Sequence, residues 1–235
     1  MQLFYNPTLN ETSRNIIFDK EESRHIVKVL RKKESDILYI TNGKEQLFYS
    51  RITFANDKKC EAEIIETHYK PKPWNYHLHI AIAPTKNNDR FEWFLEKATE
   101  IGIDEITPII CQNSERKVVK TDRFEKIIQS AVKQSLKFTI PKLNSPISFS
   151  DFLLEPMDGK ICIAHCEDDE KKQLQSTIIS SKKITILIGP EGDFSPSEIK
   201  EALSKKCIPI SLGESRLRTE TAGIVAVHTV SIINQ

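Results

Sequence analysis

Ile184-Thr185-Ile186-Leu187-Ile188 runs directly into Gly189-Pro190-Glu191-Gly192-Asp193-Phe194-Ser195, an apolar run that reads as a buried strand ending in a glycine loop. The pattern recurs at Ile208-Pro209-Ile210-Ser211-Leu212, followed by Gly213-Glu214-Ser215-Arg216-Leu217-Arg218-Thr219-Glu220-Thr221-Ala222. The chain has only seven glycines, and three of them, Gly189, Gly192 and Gly213, sit just past these strands. Glycine tolerates positive φ and lets a backbone approach a ligand closely. Open α/β sheets bind ligands just beyond the C-terminal ends of their strands. One such loop alone would be an ordinary strand-to-helix turn. Two of them beside a dense string of Arg, Glu and Thr point to a binding site.

Working outward, strands and helices alternate. Strands are expected at Tyr76–Ala83, Ile106–Cys111, Lys160–His165, Ile184–Ile188 and Ile208–Leu212. Helices are expected at Asp89–Ile101, at Asp122–Leu136, near Asp169–Ile179, from Pro196 and from about Thr219. This alternation predicts a parallel sheet covered on both faces. Upstream of it the chain reads as β-rich. Ile37–Ile40 and Leu47–Ile52 flank the turn signal Thr41-Asn42-Gly43-Lys44, and a further strand is expected around Cys60–Ile65. The prolines and lysines of Tyr69-Lys70-Pro71-Lys72-Pro73-Trp74 cannot continue a helix and mark the boundary. Two domains follow, residues 1–70 and 75–235.

The 235 residues suffice for a substantial core, and a net charge of +1 excludes a global basic field. Any nucleic acid must therefore be held by a local patch. Glu22–Lys33 supplies one, for a regular helix would place Arg24, Lys28, Arg31 and Lys32 on one face and Ile26, Val29 and Leu30 on the other. Charge runs are usually solvated faces, but these cations and His25 have no carboxylate between them and suit phosphate. Arg90, near the start of the second domain, is a further RNA-contact candidate. No run is long and apolar enough for a membrane span, and the first residues lack a secretion signal. Five scattered cysteines argue against a disulfide framework and for a reducing compartment, hence the cytoplasm. Cys162-Ile163-Ala164-His165-Cys166 lacks the second ligand pair of a closed zinc site. No metal is expected; Cys162 and Ala164 read as core strand residues, with His165 at the strand's end.

Within the loops, Ser195-Pro196-Ser197-Glu198 is a helix start with a capping box and proline at the first helical position. The Gly-Pro-Glu-Gly loop is thus pinned between a buried strand and a capped helix. It is neither a P-loop nor a dinucleotide fingerprint. Thr219 can cap the last helix, and Glu220 suits its positive end. That leaves Arg216 and Arg218, and arginines at such a place recognise phosphate or stabilise developing negative charge.

At these residues the chain resembles the RsmE family of ribosomal RNA uridine methyltransferases, of the SPOUT class. The carrying motifs are Ile188-Gly189-Pro190-Glu191-Gly192, then Leu212-Gly213, then Leu217-Arg218-Thr219-Glu220-Thr221-Ala222. Lys97-Ala98-Thr99-Glu100-Ile101-Gly102, Ser114-Glu115-Arg116, Gln134-Ser135, and His25 with Val29-Leu30-Arg31 also fit. The likeness spans most of the chain and is most specific from Ile188 onward. It implies an N-terminal PUA-like β-barrel, a C-terminal parallel sheet with a deep trefoil knot, and a homodimer. It implies S-adenosylmethionine as methyl donor and N3 of a uridine in 16S rRNA of the small ribosomal subunit as acceptor. The implied cofactor pocket comprises Ala164, His165, Ile188, Gly189, Pro190, Glu191, Gly192, Leu212, Gly213, Ser215, Leu217, Arg218 and Thr219. Arg218 would stabilise charge on the target or fix its phosphate, with Glu191 and Glu220 as candidate proton acceptors. Many relatives carry a second glycine where this chain has Asp193, and a basic then an aliphatic residue at Ser215 and Arg216. The alternatives are a SPOUT enzyme with another RNA target, a catalytically silent RNA-binding module, and an unrelated α/β nucleotide enzyme.

Overall fold

The computed structural model describes residues 1–168, 170–179 and 181–234. Its contacts divide the chain into two units, Met1–Pro73 with Val132–Ile140, and Trp74–Ala131 with Pro141–Gln235.

The first unit contains β1 (Leu3–Tyr5), β2 (Asn15–Ile17), α1 (Lys20–Arg24), β3 (Ile37–Thr41), β4 (Gln46–Phe54) and β5 (Glu61–Tyr69). They form one sheet of order β1-β3-β4-β5-β2, in which only β1 and β3 run parallel. The expected hairpin is β3 with β4, paired from Ile37↔Arg51 to Thr41↔Leu47. Its turn needs glycine, for Gly43 has φ +73° and a Cβ there would lie 2.7 Å from Ile140 Cγ2. That contact belongs to a segment the sequence pattern assigned elsewhere. Glu45 N–H donates to Phe138 O at 2.8 Å, Ile140 N–H donates to Gly43 O at 3.1 Å, and Lys133 pairs with Glu22 at 3.0 Å. The core gathers Phe4, Ile26, Ile40, Phe48 and Ile52.

The expected helix over Glu22–Lys33 is corrected. Asp19 caps α1 by accepting from Glu22 N–H at 2.8 Å. From His25 to Val29 the backbone widens into a π-helical turn, closed by Leu30 N–H to His25 O at 2.9 Å. Wider pitch breaks the regular wheel. The helix then ends, because Arg31 takes the left-handed φ of 55°. Val29, expected on the apolar face, is 67 % exposed.

The second unit follows the expected alternation. Its elements are β6 (His77–Ile82), α2 (Asn88–Ile101), β7 (Glu105–Ile110), α3 (Thr121–Gln134, of which the residues from Val132 belong to the first unit), β8 (Lys142–Leu143), β9 (Ile147–Ser148), α4 (Phe149–Phe152), β10 (Lys160–Ala164), β11 (Lys172–Gln173), α5 (Leu174–Ile178), β12 (Lys183–Ile188), α6 (Pro196–Ser204), β13 (Ile208–Ser211) and α7 (Thr219–Ile233). α3 stops short of Leu136, which has φ 54°. The helix expected near Asp169–Ile179 begins only at Leu174; Asp169 lies outside the described residues. The sheet runs β11-β13-β10-β12-β6-β7-β8, with β9 also on β7, and every pairing is parallel. Ile184 to Ile188 are all buried, as a central strand covered on both faces requires. Register sets up the site: Ala164 lies opposite Ile188 on one side and Ile210 on the other. The loops leaving β10, β12 and β13 therefore start level with one another. α7 packs on α2 through Gly223, where a Cβ would fall 2.6 Å from Phe94 Cε2.

His79, on β6, carries a testable consequence. Burial pushes its imidazole from 6.5 down to about 4, and its Nε2 sits 2.7 Å from Thr107 Oγ1. Above pH 6.5 the ring is neutral in folded and unfolded chains alike. Between 6.5 and about 4 the unfolded chain binds a proton that the folded chain does not. Stability should therefore fall as pH drops through this window, by about 3 kcal/mol at its lower end. Urea melts of His79→Gln against the parent across this range measure it, the variant losing this part of the pH dependence.

Candidate active site

The C-terminal ends of β10, β12 and β13 open into a cavity of about 810 Å³. Twelve of the thirteen expected cofactor residues line it: Ala164, His165, Ile188, Gly189, Pro190, Glu191, Leu212, Gly213, Ser215, Leu217, Arg218 and Thr219. Gly192 is the exception. It packs against Asn113, whose Cβ would be 3.2 Å from a Cβ at Gly192. Its role is to let the loop approach its neighbour.

The first loop is a tight turn, closed by Asp193 N–H to Pro190 O at 2.9 Å. A Cβ on Gly189 would lie 3.1 Å from Phe194, so glycine lets the turn fold onto that buried ring. Asp193 adopts φ 60°, in the left-handed region that favours glycine. Its short polar side chain tolerates this region by bonding locally. Asp193 Oδ1 accepts from Phe194 N–H at 2.8 Å, and Oδ2 accepts from Cys166 N–H at 2.6 Å. Asp193 thus keeps the turn and ties the loop after β10 to the loop after β12. Asn113 Nδ2 donates to both Gly192 O and Asp193 O at 3.1 Å. The capping box is present: Ser195 Oγ accepts from Glu198 N–H at 3.3 Å, and Glu198 Oε2 accepts from Ser195 N–H at 2.8 Å. Glu198 Oε1 also accepts from Gln112 N–H at 2.8 Å, a bridge to the loop after β7.

The second loop turns at Gly213, whose φ of +121° in open space makes glycine a conformational rather than a packing requirement. Here the expected cap is corrected. Arg218 occupies the N-cap of α7 and caps with no side-chain bond. Thr219 lies one residue inside and donates through Oγ1 to Gly189 O at 3.0 Å. It joins the two glycine loops instead of closing its own helix.

The cavity wall mixes charge. Lys171, Arg216 and Arg218 face Glu167, Asp168, Glu191, Asp193 and Glu214. A polyphosphate would meet those carboxylates; a small ligand carrying both cationic and anionic groups fits better. Lys171 Nζ donates to His165 O at 3.1 Å and bends the loop after β10 back on itself. Burial and the carboxylate of Asp193 push the Cys166 thiol up, so it is no activated nucleophile.

The other expected residues separate. Glu191 lines the cavity and accepts from Lys86 N–H at 3.0 Å through Oε1. Glu220 is absent from the cavity wall; it is buried, with Oε1 3.8 Å from Arg90 Nε. Arg90 is thus held by that carboxylate while staying partly exposed. In the first unit, Arg24 and Arg31 are exposed, Lys28 pairs with Asp57 at 3.5 Å, and His25 lies 3.7 Å from Glu22. The expectation of a carboxylate-free cationic face is therefore corrected: both acids come close, one from another loop. Lys32 is half-buried, its N–H donating to Ile26 O at 3.0 Å. Sequence reasoning missed the roles of Asn113, Asp193 and Arg116. The only signal for Arg116 was its place in Ser114-Glu115-Arg116.

Comparisons with known proteins identify the family. A family model described as an RNA methyltransferase domain matches residues 72–231, and one described as an RNA methyltransferase PUA domain matches residues 18–65. The ribosomal RNA small subunit methyltransferase E of Buchnera aphidicola is 32% identical over 89% of this chain and 85% of its own. A solved structure from Porphyromonas gingivalis, described as a probable rRNA-methyltransferase, is 39% identical over 100% of this chain and 98% of that one, with a TM-score of 0.92. The Neisseria gonorrhoeae ribosomal RNA small subunit methyltransferase E, solved bound to S-adenosyl methionine, is 26% identical over 99% of this chain and 97% of that one, with a TM-score of 0.86. With its parallel-sheet catalytic domain, its PUA domain and a cavity built from two glycine loops, the chain belongs to the RNA methyltransferase family, among the ribosomal RNA small subunit methyltransferases E.

Proposed function

We propose that this chain transfers the methyl group of S-adenosylmethionine to N3 of a uridine in 16S rRNA, acting on the small ribosomal subunit as a cytoplasmic homodimer. The observation that carries the reading is the convergence of both glycine loops and His165 on one cavity, with Thr219 joining the loops. The cavity's size falls within the ~300–1,000 Å³ usual for small ligands, and its mixed charge suits a sulfonium that also bears an amine and a carboxylate. Ile188, Leu212 and Leu217 supply apolar contact, and the turns at Gly189 and Gly213 supply backbone groups. When bound, S-adenosylmethionine supplies an electrophilic methyl on sulfur. The deep trefoil knot that the family resemblance implies is part of the same proposal.

The uridine N3–H lies between two carbonyls, so its removal spreads negative charge onto O2 and O4. Arg218, exposed on the cavity wall, is assigned to that charge. Glu191 is assigned as the proton acceptor because it reaches the cavity wall and Glu220 does not. The test is transfer of labelled methyl to small subunits lacking the modification, with the product nucleoside identified. N3-methyluridine at one site bears the proposal out; another methylated nucleoside points to a different RNA target. Cofactor binding without transfer to any RNA would favour a silent binding module.

The PUA unit, residues 1–70, is assigned to RNA. Charge reversal at Arg24 or Arg31 should weaken rRNA binding and lower its salt slope by about 1, as loss of one phosphate contact does. Cofactor affinity should stay unchanged. Binding titrations at several salt concentrations check this, and an unchanged slope would leave these cations as solvated surface.

A further inference from the structure

Arg116 makes an unusual pair of bonds for an arginine in an RNA enzyme: it is spent on backbone rather than on phosphate. Its Nε donates to Thr85 O at 3.1 Å and its Nη2 to Lys86 O at 2.7 Å. The two carbonyls belong to the turn between β6 and α2, which Thr85 Oγ1 tightens by donating to Asn87 O at 2.7 Å. The next link reaches the cavity, because Lys86 N–H donates to Glu191 Oε1 at 3.0 Å. The second carboxylate oxygen, Glu191 Oε2, is buried and accepts no hydrogen bond among the described residues. A buried acceptor left open is costly and calls for an explanation. A donor arriving with the substrate would satisfy it.

We propose that Arg116 is a positioning residue for methyl transfer: by clamping the Thr85 and Lys86 carbonyls it holds the Lys86 amide on one oxygen of Glu191 and leaves the other for the substrate's N–H. The inference rests on the reading of the cavity given above. In the step it serves, the N3–H bond breaks and its proton passes to Glu191 Oε2. The N3 electron pair forms the N–CH₃ bond while the S–CH₃ bond breaks and its electrons stay on sulfur, yielding S-adenosylhomocysteine. Arg116 touches neither reactant. Its planar fork fits two neighbouring carbonyls; a lysine ammonium offers no such fork.

Four variants of the full chain decide the matter: Arg116→Ala, Arg116→Lys, Glu191→Gln and the double substitution of Arg116→Ala with Glu191→Gln. Arg116→Ala should lower kcat by about 10- to 100-fold, the scale of a small misplacement of a reacting group, with cofactor Kd unchanged. Arg116→Lys should recover part of it. In the Glu191→Gln background, Arg116→Ala should cost little more, since residues acting as one unit are not additive. Amide exchange at Lys86 in the ligand-free protein should speed up in Arg116→Ala. Full additivity of the two losses, or a parallel loss of cofactor binding, would overturn the assignment. Exchange at Lys86 that does not change would overturn it too, whether or not the subunits prove to be the substrate. If the parent chain transfers no methyl to them, the reading of the cavity fails, and the exchange experiment still judges the clamp.

Discussion

Arg218→Ala should reduce kcat by about 10²- to 10³-fold, the loss typical when a donor aimed at developing charge is removed. Cofactor affinity should barely change. The backbone of Arg218 is fixed, with φ −74° and ψ 157° at the N-cap of α7, and its carbonyl accepts from Ala222 N–H at 2.8 Å. Its side chain is exposed on the cavity wall and makes no ion pair among the described residues. The guanidinium therefore supports nothing in the folded chain, and stability should shift by no more than about 0.5 kcal/mol. A rigid backbone carrying an unspent cation is the arrangement expected of a group that acts on substrate charge. Arg218→Lys should keep part of the activity, because the charge persists and the planar fork does not. Single-turnover methyl transfer with saturating cofactor, paired with calorimetric Kd, separates the outcomes. Equal losses in rate and affinity would make Arg218 part of the pocket wall. Arg216 serves as the control: it also lines the cavity as an exposed cation two residues away.

What the sequence disclosed and what it hid follow from the range of the forces involved. Strand β12 and the cap of α6 were legible because both are local: a five-residue apolar run, then Ser195-Pro196-Ser197-Glu198. The cavity was legible because glycines so sparingly used stand out, and because family motifs name its edges. The cationic face in the first unit was misread because a 3.6-residue wheel assumes a regular helix. The π-turn at His25–Val29 and the left-handed Arg31 break that assumption, and neither leaves a mark in hydrophobic periodicity. The placement of Val132–Ile140 in the first unit was invisible for another reason. It depends on Gly43 accepting Ile140 at close range, a contact between residues far apart in sequence. Thr219 shows the same limit at the site itself. Its place beside a helix start favoured a cap, and its hydroxyl instead reaches Gly189 on a different loop. Long-range bonds decide which of two locally reasonable roles a side chain takes.

Glu198→Ala should be the most destabilising of the single changes considered, by about 3 kcal/mol, from a lost cap plus buried donors left without acceptors. Glu198 is a buried carboxylate with both oxygens committed. Oε2 accepts from Ser195 N–H at 2.8 Å and from Ser195 Oγ at 3.0 Å, while Oε1 accepts from Gln112 N–H at 2.8 Å. Bonds to a charged acceptor are the stronger kind. Alanine removes them together, leaving the Ser195 amide buried and the Gln112 amide without its acceptor. A shift in Tm of about 6 to 12 °C corresponds to that loss in a chain of this size. Glu198→Gln keeps one acceptor oxygen and should lose roughly half as much. The effect should also reach the cavity, by a route that Arg218→Ala does not use. Glu198 anchors the far end of the Gly189–Phe194 turn and, through Gln112, the loop whose Asn113 holds Gly192 and Asp193. Cofactor Kd should therefore rise in Glu198→Ala even at temperatures where the chain is fully folded. A variant that melts early but binds cofactor normally below its transition would confine Glu198 to capping α6, and the turn would then owe its shape to Phe194 and Asp193 alone.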